Sequence, residues 1–251
     1  KIAAVPFHMW SPDIYEGAPV PITALLAMAS KAAGFAVLIR VLLTAFPALE
    51  KDWVILLAVL SAGSMIIGNL LAMPQRNVKR LLAYSSIENI GLIVVGFGLT
   101  LIFKSFMLPH LAALALTATL YHCLNHAFFK SLLFLATGSV LHATHERNLG
   151  KLGGLIHRMP WVAWLALIGV LASAGLPPLN GFVSEWLLLQ SFLFTSGLPQ
   201  GYLNMLLPVV AGAVALIAAL AGFAMVKFFG IVFLGQPREE TLAHAQDAGR
   251  L

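Results

Sequence analysis

The sequence predicts an all-α fold, a polytopic transmembrane helix bundle, and three observations carry that expectation. Of 251 residues, 60% are hydrophobic and only 10% charged, against roughly 25% charged in a soluble domain, and the mean hydropathy is +0.91. The apolar residues fall in runs longer than the ~20 an α-helix needs to cross a hydrocarbon core at about 1.5 Å per residue. The net charge of +5 comes from bases in short loops between those runs, the pattern of membrane topogenesis rather than of nucleic-acid binding.

Taken in order, residues 1–10 read as the end of a span closed by Trp10, with residue 1 in mid-helix. A turn-rich segment, Ser11-Pro12-Asp13 through Pro19 and Pro21, follows. Spans are expected at 19–47, 53–74, 77–103, 109–142, 160–195 and 203–234. Several exceed one bilayer thickness, which demands tilt, extension or a break. For 160–195 the break is written as Gly175-Leu-Pro-Pro-Leu-Asn-Gly181, since a proline pair between glycines cannot continue a helix undisturbed. Residues 1–235 read as one transmembrane domain and 236–251 as a polar C-terminal segment. The opening on Lys-Ile-Ala-Ala and the polar close read as truncation at both ends. A faint echo pairs Val5-Pro6 to Trp10 with Leu176-Pro177 to Trp186, as in transporters built from inverted repeats with broken helices.

Alternate loops lie on alternate sides of a membrane. Arg76, Lys79, Arg80, Arg147, Lys151, Arg158, Arg238 and Arg250 fall on one side and Lys51 and Lys104 on the other. The positive-inside rule makes the first side cytoplasmic, and Trp10 to Pro19 with it. The single cysteine, Cys123, lies in an apolar run and allows no disulfide within the chain.

Within the spans stand Lys31, Glu88, Lys130 and, just past the proline pair, Glu185. A charge at a helix centre costs about 2.5–3.5 kcal/mol even on the low insertion scales, a cost retained mainly for ion transfer. His122, His126 and Lys130 recur at i, i+4, i+8, within ~80° on one side of a helix and in ~6 Å axial steps. Histidine takes and gives protons near pH ~6.5, and a desolvated lysine can do so as well. Water must bridge steps of this length. The structural alternatives are packing by histidine hydrogen bonds across helices, a salt bridge at Glu185, and a pairing of Glu88 with Lys79 or Arg80. Lys227 and Arg40 are expected to snorkel to opposite faces. Two histidines at i, i+4 without an adjacent carboxylate make a poor metal site. There is no cysteine cluster and no Gly-x-Gly-x-x-Gly, so no cofactor is expected and the chain itself performs no redox step.

Four stretches resemble a known family: Val5-Pro-Phe-His-Met-Trp-Ser-Pro-Asp13, Val78-Lys-Arg-Leu-Leu-Ala-Tyr-Ser-Ser86, Asn125-His-Ala-Phe-Phe-Lys-Ser131 and Leu176-Pro-Pro-Leu-Asn-Gly-Phe182. They are similar to the antiporter-like membrane subunits of respiratory complex I (NADH-quinone oxidoreductase), group 4 nickel-iron hydrogenases (the hydrogenase-4 component B type) and multisubunit sodium/proton antiporters. The resemblance covers about residues 1–235. It implies a fourteen-helix fold with two inverted five-helix repeats, of which this chain holds the second half of the seventh helix through the thirteenth. Matched by motif, Lys1 is the lysine of the broken seventh helix and Lys31 that of the eighth. His122, His126 and Lys130 form the central relay of the eleventh, and Glu185 is the exit residue of the twelfth, where many members carry lysine. The glutamate that pairs with the seventh-helix lysine lies upstream of residue 1. Asp13-Ile-Tyr-Glu-Gly-Ala-Pro19 looks like the complex I subunit next to the quinone-side membrane core. Ile87-Glu-Asn-Ile90, His142-Ala-Thr144 and Gly181-Phe-Val-Ser-Glu185 look like the large hydrogenase subunit, the type favoured by length of match.

The resemblance implies a proton-translocating subunit in a bacterial or archaeal cytoplasmic membrane, partnered by other membrane subunits and a peripheral redox module. A structural membrane anchor and a sodium/proton antiporter subunit are the alternatives.

Overall fold

The computed structural model describes residues 1–46, 49–195 and 198–247. The chain begins without regular helix: Ala3 has a positive φ of 65°, and the Val5–Pro6 bond is cis. The first helix, α1, is Trp10–Gly17. This corrects the expectation at the start, where residues 1–10 were read as helix and Ser11–Pro19 as turns. Pro12 lies in the first turn of α1, where its missing N–H costs no intrahelical bond, whereas Pro6 removes a donor from the segment before it.

The segment Val20–Ala45 is not a uniform α-helix. It runs as α2 (Val20–Leu25), a π-helical turn (Leu26–Ser30), α3 (Lys31–Arg40) and a second π-helical turn (Val41–Ala45). The next elements are α4 (Glu50–Ala72), α5 (Val78–Ser105) and α6 (Pro109–Thr144). The last comprise α7 (Pro160–Ser173), α8 (Asn180–Leu193) and α9 (Gly201–Val232). Five of the six expected spans are matched by helical segments long enough to cross a bilayer, the end of the 19–47 span at Pro47 lying outside the described residues. The interruption expected in 160–195 separates α7 from α8, with Pro177–Pro178 cis and Gly175 at φ 63°. Each half is roughly 21 Å long, too short to cross alone. Both halves of the faint echo carry a cis X–Pro bond and lead into a helix.

The helix α5 is the centre of the bundle, with 94% of its most apolar window buried. Asn77 caps it by accepting from the main-chain amides of Lys79 (2.9 Å) and Arg80 (3.4 Å), which satisfies amides no helical carbonyl can reach. Close approach is bought with glycine: a Cβ on Gly68 of α4 would stand 2.5 Å from the Glu88 nitrogen, and one on Gly91 would stand 2.8 Å from the Met65 nitrogen. Small residues at such crossings let backbones touch where lipid supplies no hydrophobic drive.

The basic loops gather at one end of the bundle. Leu149 donates its amide to Arg76 (2.7 Å), Val78 to Arg147 (3.1 Å) and Gly154 to Leu234 (2.9 Å), and Arg238 donates to the Leu149 carbonyl. Arg80 meets Asp13 and Glu16 of α1, both at 2.8 Å, which places α1 at that end. Arg250 lies outside the described residues. The polar C-terminal segment returns over this end: Leu242 and Ala245 are buried, and the Asp247 carboxylate accepts from the amides of Trp161 (2.9 Å) and Val162 (3.3 Å). Asp247 thus does for α7 what an N-cap residue would, from 86 residues away. Arg40 is exposed. Lys227 reaches past the helix edge to the carbonyls of Met73 and Gln75 beyond α4.

Candidate proton path

The ionisable groups come from α3, α5, α6 and α8. α6 presents His122, His126 and Lys130 on its inner side, all buried, as their four-residue spacing requires. None of the three hydrogen-bonds to another. Lys130 Nζ donates to Ser85 Oγ of α5 (2.6 Å) and Ser173 Oγ at the end of α7 (3.3 Å). The two ring nitrogens of His122 meet Ser184 Oγ of α8 (2.9 Å, Nδ1) and Asn89 Oδ1 of α5 (3.2 Å, Nε2). His126 packs edge-on to Phe129 at 5.6 Å, and its Nε2 has no hydrogen-bond partner among the described residues.

Lys31 opens α3 directly after the first π-helical turn, and is 2% exposed. Its ammonium lies 5.7 Å from the centre of the Tyr15 ring, within cation–π range, and has no hydrogen-bond partner among the described residues. Glu88 does not pair with Lys79 or Arg80. Those residues are held by α1 and its C-cap, Lys79 through the carbonyls of Glu16 (3.0 Å) and Ala18 (2.6 Å), about two helical turns or more from Glu88. Glu88 instead accepts from Asn89 Nδ2 at 2.6 Å.

Glu185 sits on the first turns of α8, partly buried. Its carboxylate rests on Gly175, where a Cβ would overlap it. Gly175 is therefore required twice, by its positive φ and by the acid above it. The break is pinned by a pair of amides: Asn125 donates to the Asn180 carbonyl (2.7 Å) and Asn180 to Asn125 Oδ1 (3.1 Å). Lys1 lies apart. It is exposed and lines a cavity of about 400 Å³ with Leu38, Leu42 and Trp53, while Ile2 beside it packs on Gly34, three residues after Lys31.

Sequence reasoning thus located the ionisable groups and missed the neutral ones that hold them: Ser85, Asn89, Ser173 and Ser184. Ser85 and Asn180 fall inside the motif words quoted above, and Ser184 directly precedes Glu185. Buried hydroxyls and amides inside a membrane span were the available signal. Among the described residues no three His, Cys, Asp or Glu side chains converge as metal ligands would.

The chain is similar to known proteins. The transmembrane family described as NADH:quinone oxidoreductase/Mrp antiporter matches residues 1–211. Hydrogenase-4 component B of Escherichia coli is 37% identical over 99% of this chain and 37% of its own length. Formate hydrogenlyase subunit 3 of the same organism is 39% identical over 96% of this chain and 40% of its own. NADH-quinone oxidoreductase subunit N of Desulforamulus reducens is 37% identical over 100% of this chain and 48% of its own. A chain in the structure of the Mrp complex from Dietzia sp. superposes with a TM-score of 0.81 at 25% identity, over 99% of this chain and 44% of that one. The chain spans half or less of the length of these relatives. It is an integral membrane protein with five helical segments long and apolar enough to cross a bilayer among the described residues, and it belongs to the NADH:quinone oxidoreductase/Mrp antiporter transmembrane family.

Proposed function

We propose that this chain carries protons across the membrane as part of a longer antiporter-like subunit, driven by a redox reaction in other subunits. The observation behind this reading is the buried row: Lys31, His126, Lys130, Glu88 and His122 are 2%, 3%, 0%, 1% and 4% exposed. A row of ionisable groups is costly in a bilayer-spanning bundle, and packing alone needs none of it. In mechanism, a conformational or electrostatic pulse from a redox module alters the charge at Lys1 and Lys31. A proton on Lys31 repels one on Lys130. The displaced proton moves through His122 and His126 with Lys130, and leaves near Glu185 beside the break.

The hydrogenase type, a peripheral redox module and a bacterial or archaeal cytoplasmic membrane with the basic end inside belong to this proposal. Relatives from hydrogenase-4 and from NADH-quinone oxidoreductase match at the same 37% identity, so recovery of a nickel-iron hydrogenase or of an NADH-oxidising module from native membranes decides the type. The likeness to the Mrp complex motivates a second reading, sodium/proton exchange. Two buried lysines favour the proton, since a fixed ammonium repels a sodium ion, and sodium-dependent exchange in vesicles would support the second reading instead.

The test of the main proposal is Lys130→Ala and Glu185→Gln in the full-length protein within its complex. Proton translocation is expected to fall while the complex assembles and turns over. Unchanged pumping by an intact complex rules these residues out, and a defect confined to assembly points to a structural anchor.

A further inference from the structure

We infer that His122 keeps one proton permanently on Nε2, exchanges its second proton only at Nδ1, and reports that exchange to the α7–α8 break through the hydroxyl of Ser184. The inference rests on the reading of His122 as a proton-carrying group and names the atom and the switch involved.

The starting point is Asn89. Its Nδ2 faces two acceptors, the Glu88 carboxyl oxygen at 2.6 Å and the Ser85 main-chain carbonyl at 2.9 Å. A main-chain carbonyl accepts in every charge state, so turning the amide over would set oxygen against oxygen whether or not Glu88 is ionised. The amide orientation is thereby fixed, and Asn89 Oδ1 faces His122 Nε2 at 3.2 Å. Oδ1 can only accept. His122 Nε2 must therefore carry a hydrogen, in the neutral ring as in the cation.

All change of charge is left to Nδ1, which faces α8 and meets Ser184 Oγ at 2.9 Å. In the neutral ring Nδ1 accepts, and the Ser184 hydroxyl points its hydrogen at it. When Nδ1 takes a proton from hydronium, leaving water, it becomes a donor and the Ser184 hydrogen must turn away. A second acceptor is in place: the Gly181 carbonyl, 2.9 Å from Ser184 Oγ. The oxygen itself stays where it is, held by Asn125 Nδ2 at 3.0 Å, which also binds the Asn180 carbonyl at the start of α8. The hydroxyl is thus a rotor with two seats, one on the histidine and one on the first turn of the half-helix that carries Glu185. The titratable groups nearest His122 are Lys130 and His126 on its own helix, with Glu88 beside its partner Asn89 on α5 and Glu185 beside its partner Ser184 on α8. Ser184 is a positioning residue, since it never loses its own proton for good.

The test is ¹⁵N-histidine magnetic resonance on the full-length protein in membranes, with the His122 signal assigned by difference against His122→Gln and, independently, His122→Phe. A neutral His122 protonated at Nε2 is expected, with loss of that preference in Asn89→Leu. A neutral His122 protonated at Nδ1, or a preference unmoved by Asn89→Leu, overturns the inference. For the rotor, Ser184→Ala is expected to slow proton translocation about tenfold, the weight of one buried hydrogen bond, and to shift its pH profile, while Ser184→Thr restores both. Equal behaviour of the alanine and threonine variants overturns the switch. The underlying proton-path reading fails separately, through unchanged pumping by His122→Gln or His122→Phe, and leaves the tautomer measurement standing.

Discussion

The contact of Gly68 with Glu88 offers a test in which packing and function move together. A Cβ placed on Gly68 would lie 2.5 Å from the Glu88 nitrogen and 2.9 Å from both its Cα and Cβ. Ordinary carbon contacts begin near ~3.5 Å, and the atoms in the way are backbone, which cannot rotate aside. Gly68→Ala must therefore push α4 and α5 apart by roughly 0.5–1 Å at this level. Overpacking of that kind costs about 1–3 kcal/mol. The displacement falls on the turn that carries Glu88 and Asn89, so the 3.2 Å contact of Asn89 with His122 would be moved off its present geometry. Thermal unfolding of the detergent-solubilised protein should show the loss of stability, and proton translocation in vesicles should fall with it. Gly98→Ala is the matched control on α5, because its Cβ would meet only Leu57 Cβ, at 3.9 Å. If Gly68→Ala is as stable and as active as Gly98→Ala, the close approach of α4 to α5 does not position the polar row and the reasoning fails.

Replacing Asp247 by alanine removes the side chain that accepts from the Trp161 and Val162 amides and is expected to lower stability by about 0.5–2 kcal/mol, read by thermal unfolding. Asp247→Asn should recover much of it. At the basic end, the amide of Asn148 first, then that of Arg147, holds the Glu146 carboxyl below its ordinary range. A depressed folded value contributes stability that is present above the unfolded value of about 4.3 and lost as pH falls through the folded one. Unfolding temperatures measured down through that acid window should therefore decline less steeply in Glu146→Gln than in the native chain, and parallel curves would refute the assignment.

How much of the site was legible depended on the kind of residue. Lys31, Lys130, His122, His126 and Glu185 stand out because a bilayer makes ionisable groups expensive, so their presence in apolar runs is informative before any fold is known. Ser85, Asn89 and Ser184 do not stand out. Hydroxyls and amides occur throughout membrane helices, often bonded to their own backbone, as Ser86 is to Leu82 and Thr100 to Gly96. Only the crossing of α5, α6 and α8 shows which of them face a histidine or a lysine. Glu88 illustrates the limit in the other direction. Proximity in sequence to Lys79 and Arg80 suggested a pairing, but both bases are taken by α1, whose place at the start of α5 no local pattern encodes.

The start of the chain shows the same division. Prolines and polar residues in 11–19 suggested turns, yet Trp10–Gly17 is helical because Pro12 falls in the first turn and because α1 is anchored by Arg80, Lys79 and Asn77 from a helix more than 60 residues on. The π-helical turn before Lys31 was likewise invisible, since it shifts register without changing composition.

The sequence by itself determined that this is a membrane bundle with a broken penultimate span, because transfer from water to lipid depends on composition and run length alone. It also located the ionisable row along α6, because helical periodicity is a local property. The tertiary structure decided which neutral groups hold that row, which way the Asn89 amide points and which group each nitrogen of His122 meets. Those are properties of hydrogen-bond geometry between helices, and no single helix contains them.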